Sequence, residues 1–409
     1  MKITYLHQYF NTPSMSGSTR SFEMARRLVD YGHEVEIITT QRTNADAKDW
    51  FETTEAGVKV HWLPVPYSNH MGFANRIKAF TRFALAAKAR AVSTQPDLVF
   101  ATSTPLTIAI PGVGAAKALD VPLVFEVRDL WPEMPVATGD LRNPLLIALA
   151  NRLERYAYTN SQQVVALSPG MAAGVEKAGF PRDRISMIPN SSDIELFSKP
   201  VGELAQILPD LPNLTGKKLI VYCGTIGRVN KVGYLAEIAA QARKVDPKLV
   251  FCVIGDGAER AQTIQTASDL GVLGKNMFFF DPVKKNQIPA ILAACHMSLS
   301  LFADIPAMWN NSANKFFDTL AAGRPIGINY LGWHADLIRD NDLGVVFPYG
   351  QPENAAQLIS DFLSHPSRQE QAGSNALALA RSQFDRDNLA LQLQDVLLRA
   401  KTEFDRNRS

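Results

Sequence analysis

Three cysteines in 409 residues, Cys223, Cys252 and Cys295, are too few and too far apart for a disulfide framework, and none has the paired spacing of a zinc site. Seven histidines are scattered without forming a ligand cluster. No apolar run approaches the roughly 20 residues needed to span a bilayer. No signal peptide is visible, because Met1-Lys2 leads straight into the strand-like Ile3-Thr4-Tyr5-Leu6. The expectation is a cytoplasmic protein, soluble or resting on a membrane surface. Low-complexity tracts and internal repeats are also missing. A net charge of +2, with no nucleic-acid-binding motif and no basic-aromatic interleaving, argues against nucleic acid as a partner. One absence is local: between Gly57 and Pro96 there is no Asp or Glu, while Lys59, Arg76, Lys78, Arg82, Lys88 and Arg90 are basic.

What is present points to an α/β protein. The length exceeds what one hydrophobic core usually supports, so two domains are expected. Short apolar runs alternate with amphipathic helical segments, the pattern of a largely parallel sheet. In the first half the strand candidates are Ile3–Leu6, Val35–Thr39, Val58–Leu63, Leu98–Ala101, Leu123–Val127 and Val164–Leu167. Phe22, Ala25, Leu28 and Val29 give one helix its apolar face, and Gly32 stops it. From Asp193 to Gly216 periodicity is lost and Pro200, Pro209 and Pro212 collect, which reads as an interdomain linker. Beyond it Leu219–Cys223, Val250–Ile254, Met277–Phe280, Met297–Leu301, Pro325–Asn329 and Val345–Phe347 repeat the alternation. The tail from Arg368 to Lys401 reads as helix. Two consecutive Rossmann-like domains follow, residues 1–195 and residues 196–384.

In open parallel sheets ligands bind beyond the carboxyl ends of the strands. Three post-strand loops place small residues beside a helix start, where backbone can approach a pyrophosphate: Gly17-Ser18-Thr19-Arg20, Gly224-Thr225-Ile226-Gly227-Arg228-Val229-Asn230-Lys231 and Gly255-Asp256-Gly257. A fourth signal is Asn310-Asn311-Ser312-Ala313-Asn314-Lys315. There Ser312 or Asn314 can cap a helix whose first turn offers free N–H groups, and Lys315 adds a cation; Gly323 and Pro325 end that helix. The Asp-x-Asp pairs, Asp340/Asp342 and Asp385/Asp387, read as a turn and a helix entry rather than metal ligands. The acid-free segment reads as a helix with Phe73, Ile77, Phe80, Ala84, Ala87 and Ala91 on one stripe and Lys78 and Arg82 opposite.

These loops, with Gly32-His33-Glu34-Val35, Ile188-Pro189-Asn190-Ser191-Ser192-Asp193, Val253–Gly257 and Ala321-Ala322-Gly323-Arg324-Pro325, resemble the retaining glycosyltransferases of family four. Within it the chain looks most similar to bacterial transferases of O-antigen and capsule assembly, including L-fucosamine transferases. Tyr5-Leu6-His7-Gln8-Tyr9-Phe10, Glu126-Val127-Arg128-Asp129-Leu130-Trp131-Pro132 and Asn314-Lys315-Phe316-Phe317-Asp318 carry that likeness. The resemblance implies the GT-B fold: two Rossmann-like domains facing across a cleft, the first selecting acceptor and the second donor, with a C-terminal helix, residues 385–409, crossing back to join the first.

It further implies transfer of a sugar, an N-acetylated deoxyhexosamine such as L-fucosamine being one candidate, from a nucleotide-sugar donor, expected to be UDP-linked, to a lipid-linked glycan in bacterial surface polysaccharide biosynthesis. Retention at the anomeric carbon is expected, with neither metal nor cofactor, and the basic helix is expected to meet a membrane surface. The donor set is Gly17, Ser18, Gly224, Thr225, Gly227, Gly255, Asp256, Gly257, Pro282, Val283, Asn310, Ser312, Asn314, Lys315 and Asp318. Asp129, Arg128, Arg228 and Lys231 form the catalytic set. The chain departs from the family's Glu-x7-Glu, with Asn310 and Asp318 at that spacing, and from its His-Asp pair, with Arg128-Asp129. Arginine stays charged and cannot be a general base, so Arg128 is expected to bind phosphate or organise the site. Those departures keep open a nucleotide-sugar-binding scaffold protein, and the fold keeps open a sugar-nucleotide epimerase.

Overall fold

The computed structural model describes residues 1–15, 17–42, 49–66, 73–199 and 202–408. Pro200 and the side chains of Phe73 and Arg76, named above, lie outside the described residues. The contacts divide the chain into two compact units, Met1–Pro189 with Asp387–Ser409, and Asn190–Arg386.

The first unit holds β1 (Lys2–Leu6), β2 (Glu34–Gln41), β3 (Phe51–Glu55), β4 (Val58–Pro64), β5 (Leu98–Thr102), β6 (Leu123–Val127), β7 (Gln163–Ala166) and β8 (Ile185–Met187). They form one sheet in the order 3-4-2-1-5-6-7-8, parallel except where β3 pairs antiparallel with β4. The inner strands are buried along their length because helices cover both faces, so their sequences are continuously apolar instead of alternating. The two strands missed in the sequence are edge strands: Phe51-Glu-Thr-Thr-Glu is half-exposed and polar, and Ile185-Ser-Met is only three residues long.

One face of this sheet is covered by helix Arg20–Asp30, through Phe22, Met24, Ala25 and Leu28, and by helix Arg386–Arg406, through Leu389, Leu393, Val396 and Leu397. The other carries helices Phe73–Ser93 and Ala109–Leu119. The acid-free helix buries Ala79, Phe83, Ala84, Ala87 and Ala91, whereas Ile77 is 44% exposed. The stripe therefore runs one residue off the expected register at its start, because Phe83 is the large side chain that reaches the core.

The second unit holds β9 (Lys218–Cys223), β10 (Leu249–Ile254), β11 (Met277–Phe280), β12 (Met297–Ser300), β13 (Ile326–Ile328) and β14 (Gly344–Val346), all parallel, in the order 11-10-9-12-13-14. The expected linker is not structureless. Helices Ile194–Ser198 and Leu204–Ile207 occupy it, and Phe197 and Leu208 are buried against Leu219, Val221 and Val250. The C-terminal helical stretch is broken between Gln383 and Arg386, where Phe384 is buried against Phe317 with ring centroids 5.0 Å apart and Asp385 bridges to Ser192.

Strand order reverses between β1 and β5 in the first sheet and between β9 and β12 in the second. Each reversal leaves a crevice beyond the carboxyl ends of those strands, since the connections on its two sides leave in opposite directions.

Candidate active site

In the second unit the loops after β9 and β10 run side by side. The Gly224 amide donates to the Ile254 carbonyl and the Ile226 amide to the Asp256 carbonyl, both at 2.9 Å, carrying the strand pairing past the sheet. Gly255 and Gly257 have φ of +150° and +155°, and a Cβ on either would collide with the carbonyl of Gly224 or Ile226. These two glycines are thus explained by loop-on-loop packing. Gly224 is different: a Cβ there would lie 3.1 Å from the Lys315 Nζ, so its missing side chain makes room for a cation.

Helix Asn314–Ala321 begins beside this loop. Neither Ser312 nor Asn314 caps it: the N-cap is Ala313, which has no side chain to offer. The Ser312 hydroxyl instead accepts from the Asn190 amide at 2.9 Å, and the Ser312 carbonyl from the Asn190 side chain at 2.5 Å. Among the described residues the Asn314 and Lys315 amides have no backbone partner, so the end of the helix retains its positive partial charge. At the other end Gly323, φ +61°, closes the last turn, with the Arg324 amide donating to the Thr319 carbonyl at 3.2 Å.

The Lys315 ammonium lies 4.4 Å from the Tyr222 ring centroid and 5.8 Å from that of Phe302, and donates to the Tyr222 hydroxyl at 3.0 Å. Tyr222 in turn donates to the Thr225 carbonyl at 2.7 Å. Among the described residues no carboxylate lies within ion-pair distance of Lys315. Burial lowers its pKa to about 8, opposed only by nearby Cys223. A cation held in aromatic surroundings without a counterion, beside unpaired amides, is a site organised for an anion.

The remaining predicted cations are looser. Arg228 is exposed, and Lys231, φ +46°, stands 3.7 Å from Glu259. Asp256 and Thr225 are exposed at the same rim, and Gly227 accepts from the Lys231 amide at 3.0 Å. Asp318 is buried with both oxygens engaged, Oδ1 by the Ser192 hydroxyl at 2.7 Å and Oδ2 by Lys285 at 2.5 Å. Each oxygen keeps a second lone pair for a further donor. Asn310 ends the short turn Pro306–Asn310 and is half-buried, and the Trp333 indole donates to the Asn311 carbonyl at 2.7 Å. Pro282 is exposed and Val283 packs beside Phe197 in the loop after β11. Sequence reasoning missed Tyr222, Ser192, Lys285 and Asn190. Only Asn190 and Ser192 had a signal, their place in the Ile188–Asp193 motif.

In the first unit the crevice beyond β1 and β5 is lined by a different chemistry. Arg20 and Glu126, both buried, meet through two hydrogen bonds at 2.8 and 3.0 Å, and Thr102 donates to the other carboxylate oxygen at 2.7 Å. Burial opposes the Glu126 charge, but Arg20, Arg128 and these hydrogen bonds outweigh it and hold the carboxyl below its ordinary range. Arg20 also donates to the carbonyls of Ile188 and Pro189, at 2.9 and 2.6 Å.

Arg128 donates to the His7 Nε2 at 3.2 Å and to the Ser18 hydroxyl at 3.1 Å, while its amide donates to Ser103 at 2.9 Å. His7 is kept well below its usual pKa by burial and then by Arg128 and Arg42, so it is a neutral acceptor. Gly17, φ +125°, lies against Asn11, whose amide donates to the Ser18 carbonyl at 3.2 Å. The adjacent Asp129 is pushed upward by burial, against the pull of Arg128 and a 3.3 Å hydrogen bond from Thr104. The arginine therefore organises Ser18 and His7, and the aspartate is a partly buried carboxylate with weak support.

Among the described residues no group of three or more His, Cys, Asp or Glu side chains is arranged to hold a metal ion. Asp342, φ +50°, forms the turn before β14, and Asp387 pairs with Arg27 at 2.5 Å. No helix of the described residues is long and apolar enough to cross a membrane.

Residues 17–191 match the family model of the glycosyl transferase 4-like domain, and residues 206–378 that of the glycosyl transferases group 1. WcaI of Escherichia coli strain K12, provisionally assigned as a glycosyl transferase of colanic acid biosynthesis, is 25% identical over 306 residues, covering 70% of this chain and 74% of WcaI. Among solved structures, sucrose-phosphate synthase of Thermosynechococcus elongatus superposes with a TM-score of 0.78 at 16% identity, over 97% of this chain and 98% of that one. HepE of Anabaena, solved in complex with UDP-glucose, gives 0.70 at 17% identity, over 97% and 99%. The paired parallel sheets, the two family models and the like-folded structures place this chain among the glycosyltransferases of the 4-like and group 1 type, with the GT-B fold.

Proposed function

We propose that the protein transfers one sugar from a UDP-linked donor to a lipid-linked glycan in bacterial surface polysaccharide assembly, with retention and without a metal. The observation that carries the donor half is the Lys315 ammonium, without a carboxylate partner, beside Gly224 and under the uncapped start of helix Asn314–Ala321. A diphosphate supplies the missing counterion. HepE, of the same fold, is solved with UDP-glucose, and WcaI is assigned to a polysaccharide pathway, which supports this choice of donor and product.

In the reaction the anomeric C–O bond breaks, its electron pair passing to the departing diphosphate oxygen. The acceptor oxygen bonds to the same carbon on the same face, and its proton goes to a phosphate oxygen. The charge that develops on the diphosphate is met by Lys315, the amides of Asn314 and Lys315, and the rim cations Arg228 and Lys231. Ser312 and Asn190 brace the segment before that helix. Asp318 accepts from a ribose hydroxyl, and Gly255, Asp256, Gly257, Pro282 and Val283 shape the nucleotide end; Asn310 borders the sugar. In the first unit, the acceptor-binding one, Asp129 orients the acceptor hydroxyl, and Arg128 holds Ser18 and the Gly17 loop in place.

The lipid-linked acceptor brings the protein to the inner face of the cytoplasmic membrane. Helix Phe73–Ser93 suits that role: Lys78, Arg82 and Lys88 are exposed, and Leu85 stands 69% exposed beside them. Basic side chains near an anionic leaflet contribute about 1 kcal/mol each.

Nucleotide release with a panel of UDP-sugars, N-acetylated L-fucosamine first, and lipid-linked glycans tests the reading. Acceptor-dependent release of UDP is expected. Silence across the panel from folded protein that still binds UDP tightly would instead favour a binding scaffold, for which Asn310 in place of a carboxylate is the motive.

A further inference from the structure

The chain's own departure from a plain glycine loop is Tyr222, next to last in β9. It is fully buried, yet its hydroxyl is used twice, donating to the Thr225 carbonyl at 2.7 Å and accepting from the Lys315 ammonium at 3.0 Å. The first contact fixes the turn of the glycine loop. The second fixes the cation, whose stem passes the space left open by Gly224. A flexible four-carbon side chain would otherwise turn its ammonium toward water, since a lysine's rotamer freedom opposes any one placement.

Around that ammonium stand Tyr222 and Cys223 from β9 and the Phe302 ring after β12. Asp318, one turn further along the lysine's own helix, is already engaged by Lys285 and Ser192. Among the described residues no carboxylate is within ion-pair distance of the ammonium, so the tyrosine hydroxyl, with the two ring faces, sets its position.

We propose that Tyr222 is a positioning residue for donor binding: its hydroxyl couples the Lys315 ammonium to the Gly224–Thr225 turn, so that the cation, that turn and the Asn314 and Lys315 amides present one preformed seat to a diphosphate. This rests on the assignment of Lys315 to the diphosphate in the proposed function. The burial that lowers the lysine's pKa fits the coupling, because a diphosphate arriving at this seat restores the charge that the apolar surroundings disfavour.

The test is a double-mutant cycle with Tyr222→Phe, Lys315→Met and the pair, measuring calorimetric affinity for UDP and, as a control, uridine, at pH 7. Tyr222→Phe is expected to weaken UDP about 10-fold, the size of one hydrogen bond to a charged group. Lys315→Met should weaken UDP more, and the double variant no further than Lys315→Met alone, because the tyrosine acts through the lysine. Uridine binding should be unaffected throughout. Additive losses, or a Tyr222→Phe protein that melts normally and binds UDP as the parent does, would overturn the inference while leaving the donor reading intact. Unchanged UDP affinity in Lys315→Met, or a parent protein that binds none of UDP, GDP and dTDP, would overturn both.

Discussion

The two units carry the same architectural opening, a crevice where strand order reverses, and fill it in opposite ways. In the first, buried Arg20 is neutralised by Glu126 and held by two carbonyls, and half-buried Arg128, fixed by His7 and Ser18, acts electrostatically on Glu126 and Asp129. In the second, the ammonium of half-buried Lys315 has a phenol and two ring faces but, among the described residues, no carboxylate. A neutralised cluster fixes the shape of a wall. An unneutralised cation is open to an arriving anion, and on the proposed function the two crevices have different tasks.

The sharpest way to break the comparison is to remove one cation from each side. Arg20→Met leaves Glu126 buried without its charge partner, a change that costs about 3–5 kcal/mol. A large fall in the melting temperature of the protein is expected. Lys315→Met removes a charge that burial disfavours, so melting should be unchanged or raised while UDP affinity falls by about 10- to 100-fold. If Lys315→Met proves as destabilising as Arg20→Met, the lysine is part of the wall and the contrast is lost.

How far this was legible in the sequence follows the same line. The inner strands were readable because a strand buried on both faces must be an unbroken apolar run, as Leu123–Val127 is. Edge strand β3 was not, since a half-exposed Glu-Thr-Thr-Glu has no such signature. Helices Ile194–Ser198 and Leu204–Ile207 were hidden among prolines because only a few of their side chains, Phe197 above all, reach the core. Lys315 was legible by its place at a helix start. Its hold by Tyr222 was not, because a tyrosine inside Leu-Ile-Val-Tyr-Cys reads as core, and its hydroxyl partners lie 3 and 93 positions away. The capping expectation for Ser312 failed for a related reason: the Asn190 amide, 122 residues distant, takes the hydroxyl.

A second, smaller test separates binding from folding by pH. The Lys315 pKa is lowered to about 8 in the folded protein from 10.5. Between those values the unfolded chain binds more protons than the folded one, so this group makes the fold more stable as pH rises from about 8 toward 10.5. Donor binding runs the other way. The diphosphate needs the ammonium, so affinity should hold below about pH 7.5 and then fall, approaching tenfold per unit, as pH rises above 8. Calorimetric titration of UDP from pH 6.5 to 9.5 measures it, with Lys315→Met as the control in which the limb should vanish. A limb that survives in that variant belongs to another group.

Acid offers a parallel test of the core beneath the site. His334 is fully buried, stacked 4.1 Å from the Phe316 ring on the same helix that starts at Asn314, and burial lowers its pKa to about 3. The unfolded chain takes up a proton below about pH 6.5 that the folded chain refuses until near 3, so stability is lost as pH falls through that interval. His334→Phe, which keeps a flat ring against Phe316, should flatten the acid limb of melting between pH 6 and 4. It should leave the alkaline limb of UDP affinity in place. Movement of both limbs together would mean that the aromatic core and the Lys315 seat titrate as one system.

The smallest effect is expected at the rim. Lys231 stands 44% exposed and 3.7 Å from Glu259, an ion pair of the kind worth about 0–1 kcal/mol. Its replacement by alanine should weaken UDP by about fivefold or less and leave melting unchanged, with a loss that shrinks further at high salt, since exposed charges are screened over about 10 Å at 0.1 M. The Lys315→Met loss should shrink much less with salt, because that ammonium is held against the Tyr222 hydroxyl and two ring faces. Measuring both variants at 0.05 and 0.5 M salt ranks the cations directly. A Lys231→Ala loss that exceeds the Lys315→Met loss and resists salt would move the diphosphate out to the rim, and with it the chemistry from the tyrosine-held lysine to the loop's exposed edge.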